Sequence, residues 1–387
     1  MPIPVYQLGR VGRVYVAAEG AATYGTAPGF AATDAVRHLN VALNRKLRNR
    51  VNAPTRHTHP DQVYRRTRRG TASWSLSGEF FPSGVLNTLP DHTDILEHGI
   101  GAKTNVVLAT TIAVGGAGTT TADTLTSAAG LAIGDALLFS HQDGNKYVRF
   151  LTAVNTGTGV CTWAPALPSA LTDGQAVKGT LTYKPATALA KSLNIGHYLT
   201  SLSYQGYGAV VDELKVSCDA NNEVMWEASG PMQKRTRNAD TADPATFTVV
   251  GTTPPSGLTG GLMFNATVED YIKAEFAVKN AMELDNFAAG TSLARAYYRK
   301  GKRAISVGLD TMVSDDVTII DVAEANSDAT VLVQSGDTEG SIIAIYCPVV
   351  EFEEPDDSNA EEELDWKYKG LAKSTIAGND GFYLAVA

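Results

Sequence analysis

Apolar and polar residues alternate on both sides of a turn in two separate stretches of the chain. The first stretch, from Asp212, reads DELKVSCDANNEVMWEASG. Its residues Leu214, Val216 and Cys218 alternate with polar residues, DANN supplies a turn, and the alternation returns through Trp226. A period of two on both sides of a turn predicts a β-hairpin with one apolar face.

The second stretch, from Pro348, reads PVVEFEEPDDSNAEEELDWKYKG. Val350 and Phe352 alternate with polar residues, an acidic turn follows, and Leu364, Trp366 and Tyr368 run back. This pattern predicts a second hairpin, in which Trp366 is equivalent to Trp226 of the first.

The repetition extends upstream of both hairpins. When Gly70 is aligned with Gly301, RRGTASWSLSGEF matches RKGKRAISVGLD as a strand. Short amphipathic helices are predicted next, in DHTDILEHGIG and SDDVTIIDVAEAN, and then the strands KSLNIGHYL and ATVLVQSG. The openings, from Asp34 and Asp270, correspond with their apolar residues one position out of step. The sequence therefore predicts a mainly β protein with two tandem domains, each with one short helix.

An additional segment interrupts the first copy. Residues 104–185 have no counterpart in the second copy, and their short strands and Gly, Asp and Asn turns predict a small inserted β-barrel on the outer surface. The predicted first domain comprises residues 1–103 and 186–235. A linker at 236–261, rich in Thr, Pro and Gly, precedes the second domain at 262–387.

Composition narrows the class of protein. At 387 residues and 44% hydrophobic, the chain can form more than one folded core. A net charge of -9 argues against tight nucleic-acid binding, which depends on Lys and Arg neutralising phosphates. The three cysteines lie far apart in apolar strand patterns, so we expect buried thiols. The N-terminus lacks a signal-peptide pattern and no apolar run is long enough to span a bilayer, so we expect a cytosolic protein with no membrane partner.

The repeated unit resembles the tail-tube fold of long-tailed bacteriophages, found in siphophage major tail tube proteins and related baseplate hub proteins. The final stretch LDWKYKGLAKSTIAGNDGFYLAVA is especially similar to the C-terminus of tail tube proteins. The resemblance implies a structural protein of the virion tail, assembled in the host cytoplasm. In that family, β-sandwiches with one helix form six-fold rings, and their strands join into a continuous barrel around a channel for DNA.

For this chain the resemblance implies two tandem tail-tube-like β-sandwich or barrel domains. Two such domains in one chain imply a ring of three chains with pseudo-sixfold symmetry. The implied partners are other copies of the chain, the tape measure protein, and the tail terminator and distal tail proteins. DNA is expected to pass without specific binding. No cofactor is expected.

One face of the predicted strands is expected to line the channel. The apolar residues of these strands face the core, and the polar residues between them face the other way. The candidate lumen residues are Ser73, Ser75, Glu213, Lys215, Glu227, Glu351, Glu353, Asp365 and Lys367. A hydrated, net acidic wall with few Lys and Arg contacts would let DNA pass without sticking. Alternation alone leaves open that this face is ordinary solvated exterior.

Two charge runs are candidates for contact between stacked rings. The basic run is Arg45, Lys46, Arg48, Arg50, Arg56, Arg65, Arg66, Arg68 and Arg69, with Asp61 as its single acid. Residues 351–365 contain nine acids and no base, including Glu361, Glu362 and Glu363. Because the family's long loop at this position reaches the neighbouring ring, we expect the basic arm to dock against acidic loops of the next ring. A solvated loop or a weak nucleic-acid patch stays open as the alternative.

The sequence offers no catalytic motif. His57 and His59 lack further ligands at zinc spacing, and neither a nucleophile elbow nor a phosphate-binding loop is present. The acidic pairs near Glu353 lie in a predicted turn, where solvated charges are commoner than catalytic acids. We therefore expect a protein that is not an enzyme.

Two other functions stay open at this point. A distal tail or baseplate hub protein also uses trimers with two tube domains. A carbohydrate-binding protein that targets cell walls would use the insert as its binding module, although the insert contains few aromatic residues.

Overall fold

The fold is mainly β, as predicted, and contains two α-helices among the described residues. The computed structural model describes residues 12–20, 24–26, 29–46, 50–51, 64–65, 71–115, 118–188, 191–199, 202–239, 253–285, 293–312, 318–353, 356–359, 364–375, 378 and 380–387. At residues 46, 50–51, 64–65, 71, 239, 312, 318, 356–359 and 364–365 only the backbone is described.

The first part of the chain supplies seven strands and a helix. They are β1 Arg13–Ala18, β2 Ala35–Val36, β3 Asn40–Lys46, β4 Arg50–Val51, β5 Tyr64–Arg65, β6 Thr71–Glu79, α1 Thr93–Ile100 and β7 Gly101–Asn105.

The middle part supplies the next eleven strands. They are β8 Ala109–Thr111, β9 Ala122–Thr124, β10 Ala136–Ser140, β11 Lys146–Val154, β12 Val160–Ala164, β13 Ala176–Gly179, β14 Leu181–Pro185, β15 Leu193–Leu199, β16 Leu202–Ala209, β17 Glu213–Asp219 and β18 Met225–Ala239.

The remaining strands and the second helix follow. They are β19 Gly261–Phe264, β20 Thr267–Glu269, β21 Lys273–Lys279, β22 Met282–Leu284, β23 Tyr297–Arg299, β24 Ala304–Met312, α2 Thr318–Glu324, β25 Asp328–Ser335, β26 Ile343–Phe352, β27 Asp356–Asn359, β28 Leu364–Ala372 and β29 Tyr383–Val386.

Eight antiparallel strands form one layer of the molecule. Their order is β3-β6-β18-β17-β21-β24-β28-β27, and the last three residues of β26 pair with β28 beside β27. We call this layer the eight-stranded sheet. Strands from both halves of the chain belong to it, because β17 pairs with β21 along its full length.

Two strand groups cover the apolar face of this sheet. One group is β2-β1-β15-β16, which β16 connects to the C-terminal part of β18. The other is β20-β19-β25-β26-β29-β14-β7. β18 and β26 therefore pass from one layer to the other.

One hydrophobic core fills the space between the layers. Trp74, Leu214 and Trp226 contribute from the eight-stranded sheet, and Ile195 and Val331 from the covering groups. Helix α1 buries Ile95, Leu96, Gly99 and Ile100 in the same core. Its apolar residues at positions three and four apart form the stripe that this packing requires.

The predicted insert folds as a curled half-barrel. Its order is β8-β13-β10-β11-β12-β9, and the two edge strands meet at the bridge between Ile112 and Leu125. Phe139, Cys161 and Trp163 fill its own core. The half-barrel spans residues 109–179, within the predicted boundaries of 104–185.

The half-barrel does not stand apart from the rest of the protein. Leu138, Val148 and Phe150 form a second apolar surface that packs on Tyr346 and Tyr383 of the C-terminal half. The Phe150 ring stacks on Tyr346 with centroids 5.2 Å apart. The insert is connected to the first half of the chain and packs against the second half.

Strand β18 overlaps the first residues of the predicted linker. β18 continues to Ala239 and pairs with β16, so residues 236–239 belong to this strand instead of the predicted linker at 236–261. The strand persists because Thr236 and its neighbours find backbone partners on β16.

Replacing Phe150 tests the docking of the half-barrel. Phe150→Ala removes a fully buried ring at the contact with Tyr346 and should cost about 3–5 kcal/mol in the free energy of unfolding. Hydrogen exchange should rise in β26 as well as in the half-barrel. Phe139→Ala is the matched control, because its ring lies in the half-barrel's own core. Raised exchange confined to the half-barrel in both variants would contradict the shared core.

The cysteines provide a second test. Cys161, Cys218 and Cys347 are free and buried, as predicted. Burial raises the pKa of the Cys161 thiol to about 11 and that of Cys218 to about 12. Because the thiolate is the reactive form, the native protein at pH 8 should react negligibly with a thiol reagent. After unfolding in guanidinium, three thiols should react. Rapid labelling of the native chain would contradict this burial.

Candidate assembly surfaces

The eight-stranded sheet has one apolar face and one polar face. Trp74 and Leu76 of β6 are 2% and 1% exposed, whereas Ser73, the residue before Trp74, is exposed. The same alternation runs through β17, where Leu214 and Val216 are buried and Lys215 lies on the other side. Because adjacent strands are in register, the polar residues form one continuous surface. We call it the polar face.

The predicted lumen residues lie on this face where their side chains are described. Ser73, Glu227, Glu353 and Lys367 are exposed, and Ser75, Glu213, Lys215 and Glu351 are half-buried. The side chain of Asp365 lies outside the described set.

Carboxylates outnumber ammonium groups on the described polar face by eight to five, although lysines are interspersed among them. The carboxylates are Glu79, Glu213, Asp219, Glu227, Glu275, Asp310, Glu351 and Glu353; the ammonium groups are Lys215, Lys273, Lys279, Lys367 and Lys369. The net charge of the chain averages over all surfaces. It therefore did not reveal the lysines that β21 and β28 place here.

Ion pairs hold several of these lysines. Lys215 Nζ lies 2.7 Å from Glu275 Oε2, Lys273 Nζ lies 3.4 Å from the same oxygen, and Lys279 Nζ lies 3.4 Å from Glu213 Oε1. Burial favours the protonated form of Glu275, but hydrogen bonds and charges of Lys215 and Lys273 outweigh it and lower the carboxyl pKa. A phosphate passing this face would have to compete with these carboxylates for the lysines.

The two edge strands of the eight-stranded sheet have a free side. Within the described residues, β3 pairs only with β6, and β27 pairs only with β28. Unpaired edges expose backbone N–H and C=O groups and are templates for strand addition. These edges are candidate contacts with other copies of the chain.

The ends of the strands form two rims that differ in charge. At the first, which we call the arm rim, β3 and β21 end and β24 begins; its charged residues are Arg45, Lys279, Lys302, Arg303 and Lys373 against Asp212, Glu213 and Glu351. At the opposite end, the acidic rim, Glu79, Asp219, Glu223 and Asp310 accompany Lys273. The two rims are thus complementary in charge.

The predicted basic arm extends from the arm rim. Lys46 is paired with Thr71, and farther along β4 pairs with β5 as Arg50 opposite Arg65. These described pairs continue the antiparallel course of β3 and β6. Arg45 is exposed, but the other predicted arm side chains, at 46, 48, 50, 56, 65, 66, 68 and 69, lie outside the described set.

The predicted acidic partners join the sheet at the opposite rim. Glu361, Glu362 and Glu363 lie outside the described residues, between Asn359 of β27 and Leu364 of β28. Asn359 is paired with Leu364 at the acidic rim. The described pairs that flank the two segments, Lys46 with Thr71 and Asn359 with Leu364, lie at opposite ends of the strands.

A polar junction that the sequence did not reveal fixes the two halves beside β17 and β21. Asn280 is 3% exposed; its Nδ2 donates to Gly99 O at 2.7 Å, and its Oδ1 accepts from Arg303 Nε at 2.9 Å. Met282 N donates to Asp212 Oδ1 at 2.6 Å. These bonds connect α1, the β17 entrance and the start of β24, so the halves are held rigidly.

Neither a metal cluster nor a membrane span emerges from the described part of the chain. No group of three or more His, Cys, Asp and Glu residues there is arranged to hold a metal ion. No described helix has the length and apolar character needed to cross a bilayer.

Comparison with known proteins identifies the family. A search of curated proteins finds no match to this sequence. The family model described as "Phage tail tube protein" matches residues 9–367. Proteins of this family are structural, non-enzymatic components of the virion tail. The chain of 387 residues belongs to the phage tail tube protein family.

Proposed function

We propose that this chain is the repeating subunit of a siphophage-like tail tube, in which three chains close a ring with pseudo-sixfold symmetry. The observation that carries this proposal is the repetition of one strand-pairing pattern in both halves of a single continuous sheet. The proposed first domain is 1–103 with 186–235, extended to 239 by β18. The half-barrel interrupts it, and the second domain is 262–387.

The pairing pattern supports a duplication. In the first half, β1 pairs with β2 and β15, and β15 pairs with β16. In the second half, β19 pairs with β20 and β25, and β25 pairs with β26. Likewise β3-β6-β18 corresponds to β21-β24-β28. Each half places one helix after the middle strand of this series, β6 or β24, and before the covering strand β15 or β25.

The strand registers move the counterpart of Trp226 from Trp366, as the sequence pattern predicted, to Tyr368. Trp226 lies opposite Gly78, and the alignment of Gly70 with Gly301 matches Gly78 to Leu309. Leu309 lies opposite Tyr368. Trp226 therefore corresponds to Tyr368, and Trp366 is the next residue along the same face. Trp226 and Tyr368 are 1% and 2% exposed, as equivalent core positions should be.

Each half contributes four strands to the eight-stranded sheet. Within the chain, β17 of the first half pairs with β21 of the second. The equivalent junction between chains joins the β26-β27 edge of one copy to β3 of the next. Three chains then close a barrel of about 24 strands, and closure removes every free edge. The polar face, with its paired lysines and carboxylates, would line the bore.

The charge of the rims supports head-to-tail stacking of rings. The basic arm leaves one rim, and the acidic β27-β28 connection belongs to the other. Stacking rings in one orientation brings the arms of one ring to the acidic rim of the next, which favours encounter and correct registry. Tape measure, terminator and distal tail proteins are then partners at the tube interior and ends.

Disulfide cross-linking tests the ring. The β17-β21 junction places Glu213 opposite Lys279, and the duplication maps this pair to Glu351 of one copy and Asn44 of the next. Directly opposed residues have Cα atoms about 4.5–5.5 Å apart, which suits a disulfide. The double variant N44C/E351C should therefore give covalent dimers and trimers on oxidation, seen on non-reducing gels.

The gel distinguishes the alternatives for the ring. Each single variant is a matched control and should give no species above a dimer. A ladder ending at a hexamer would contradict the three-chain ring. A complete lack of cross-links in assembled tubes would contradict the proposed edge pairing.

Charge reversal tests ring stacking. The variant R65E/R66E/R68E/R69E should polymerise at least about tenfold more slowly, because steering between oppositely charged surfaces is reversed. Light scattering measures the rate, and electron microscopy shows the products. Combining it with E361K/E362K/E363K should restore polymerisation. Unchanged polymerisation of the arm variant would remove the arm from the stacking contact.

A further inference from the structure

A cleft lies between the half-barrel and the second half of the chain, beside their apolar contact and on the side away from the polar face. Its volume is about 400 Å³, within the range of sites that bind small molecules. The residues used below are Tyr147, Arg149 and Leu167 of the half-barrel and Gly261, Met263 and Leu332 of the second half.

The walls of this cleft are fixed before any ligand arrives. Gln334 bridges them: its Oε1 accepts from Val148 N at 3.0 Å, and its Nε2 donates to Lys146 O at 2.8 Å. The docked aromatic surface around Phe150 holds the half-barrel from behind. A preformed site avoids the entropy cost of ordering its walls on binding.

Arg149 is the unusual residue of the cleft. It is 1% exposed and forms no ion pair with a carboxylate of the described residues. Its Nε donates to Ala166 O at 3.2 Å, its Nη1 to Val148 O at 2.8 Å, and its Nη2 to the Met263 sulfur at 3.1 Å. A guanidinium carries five N–H groups, so two have no acceptor in the described part of the chain, and sulfur is a weak one.

The energetics of Arg149 favour an anionic partner. Burial lowers the pKa of its guanidinium to about 10, and the charged form is nevertheless retained at neutral pH. Buried charges in proteins are normally paired, because an unpaired one loses its hydration without compensation. Lys146 and Arg149 face a single carboxylate, Asp337, around the cleft, so its lining carries an excess of positive charge.

The rest of the lining is largely apolar. Leu167 and Leu332 are 3% and 1% exposed, and Met263 lies against the Arg149 head group. The Tyr147 ring lies 5.1 Å from the Arg149 guanidinium carbon and provides a flat wall. A ligand with both an anionic group and an apolar body matches this combination.

We propose that the cleft binds a small organic anion. Its carboxylate or phosphate accepts hydrogen bonds from the free N–H groups of Arg149, a geometry that a planar guanidinium provides for both groups. Its apolar body lies against Met263, Leu167 and Leu332. The proposal concerns the half-barrel and second half of one chain, so it is independent of ring stoichiometry.

Binding to the intact wild-type chain is the first test. Benzoate is compared with benzamide and glucose 6-phosphate with glucose, so that each anion has a neutral partner of similar shape. Saturation-transfer NMR and titration calorimetry should detect at least one anion with a Kd of about 1 mM or tighter, and its neutral partner at least about tenfold more weakly. The two pairs distinguish a carboxylate ligand from a phosphate ligand.

Two variants locate the site. Arg149→Met should reduce binding at least about tenfold, whereas Arg295→Met, which removes an exposed arginine outside the cleft, should leave it unchanged. Gly261→Phe fills the cleft and keeps Arg149; a Cβ at Gly261 meets no atom within 4 Å, so the fold should tolerate it. It should also abolish binding, and it decides the question if Arg149→Met fails to fold.

Three results would overturn the proposal. They are the absence of binding by both anions, equal binding of an anion and its neutral partner, and undiminished binding by folded Gly261→Phe. In the third case, a loss of binding in Arg149→Met would show that Arg149 supports the Val148 and Ala166 carbonyls instead of a ligand.

Discussion

The backbone ladder between β17 and β21 is the constraint on which the rest of the molecule depends. Seven residue pairs, from Glu213 opposite Lys279 to Asp219 opposite Lys273, join the halves into one sheet. Among the described residues this sheet has an unpaired edge at each end, and exposed edges recruit further strands. Self-assembly is therefore a consequence of the architecture. The internal ladder also satisfies, within one chain, a junction that single-domain subunits would have to form between separate molecules.

The two faces of that sheet divide structural and functional demands. The apolar face holds Trp74, Trp226 and Tyr368 in a core that both halves share, so the sheet cannot slip by one residue without exposing them. The other face is free of that packing constraint. Its lysines are held by carboxylates such as Glu275, so a phosphate gains little by displacing them. Local pairing of its lysines therefore limits the affinity of this surface for phosphate.

Much of the fold was predictable from local patterns, and long-range contacts were not. Leu214, Val216 and Cys218 alternate strictly with polar residues, and this alternation predicted the hairpin that contains β17. The helical spacing of Ile95, Leu96 and Ile100 predicted α1. β1 and β19 lack such alternation and were missed. The docking of the half-barrel had a signal in Ala136–Phe139, a run that is apolar on both faces and so requires burial on both. Arg149 was hidden because its burial arises only when Met263 of the second half covers it.

The half-barrel changes the mechanical relation between the halves. Strand β14, which follows the half-barrel directly, pairs with β29, and β29 pairs with β26 of the second half. A segment inserted in the first half is thereby hydrogen-bonded to the covering strands of the second half. The β17-β21 pair joins the two halves within the eight-stranded sheet. Two separated attachments resist hinge motion more than either alone, because bending about one must break the other. An inserted module that braces the subunit in this way can carry a preformed cleft on its surface, since the contacts that fix the subunit also fix the walls of the cleft.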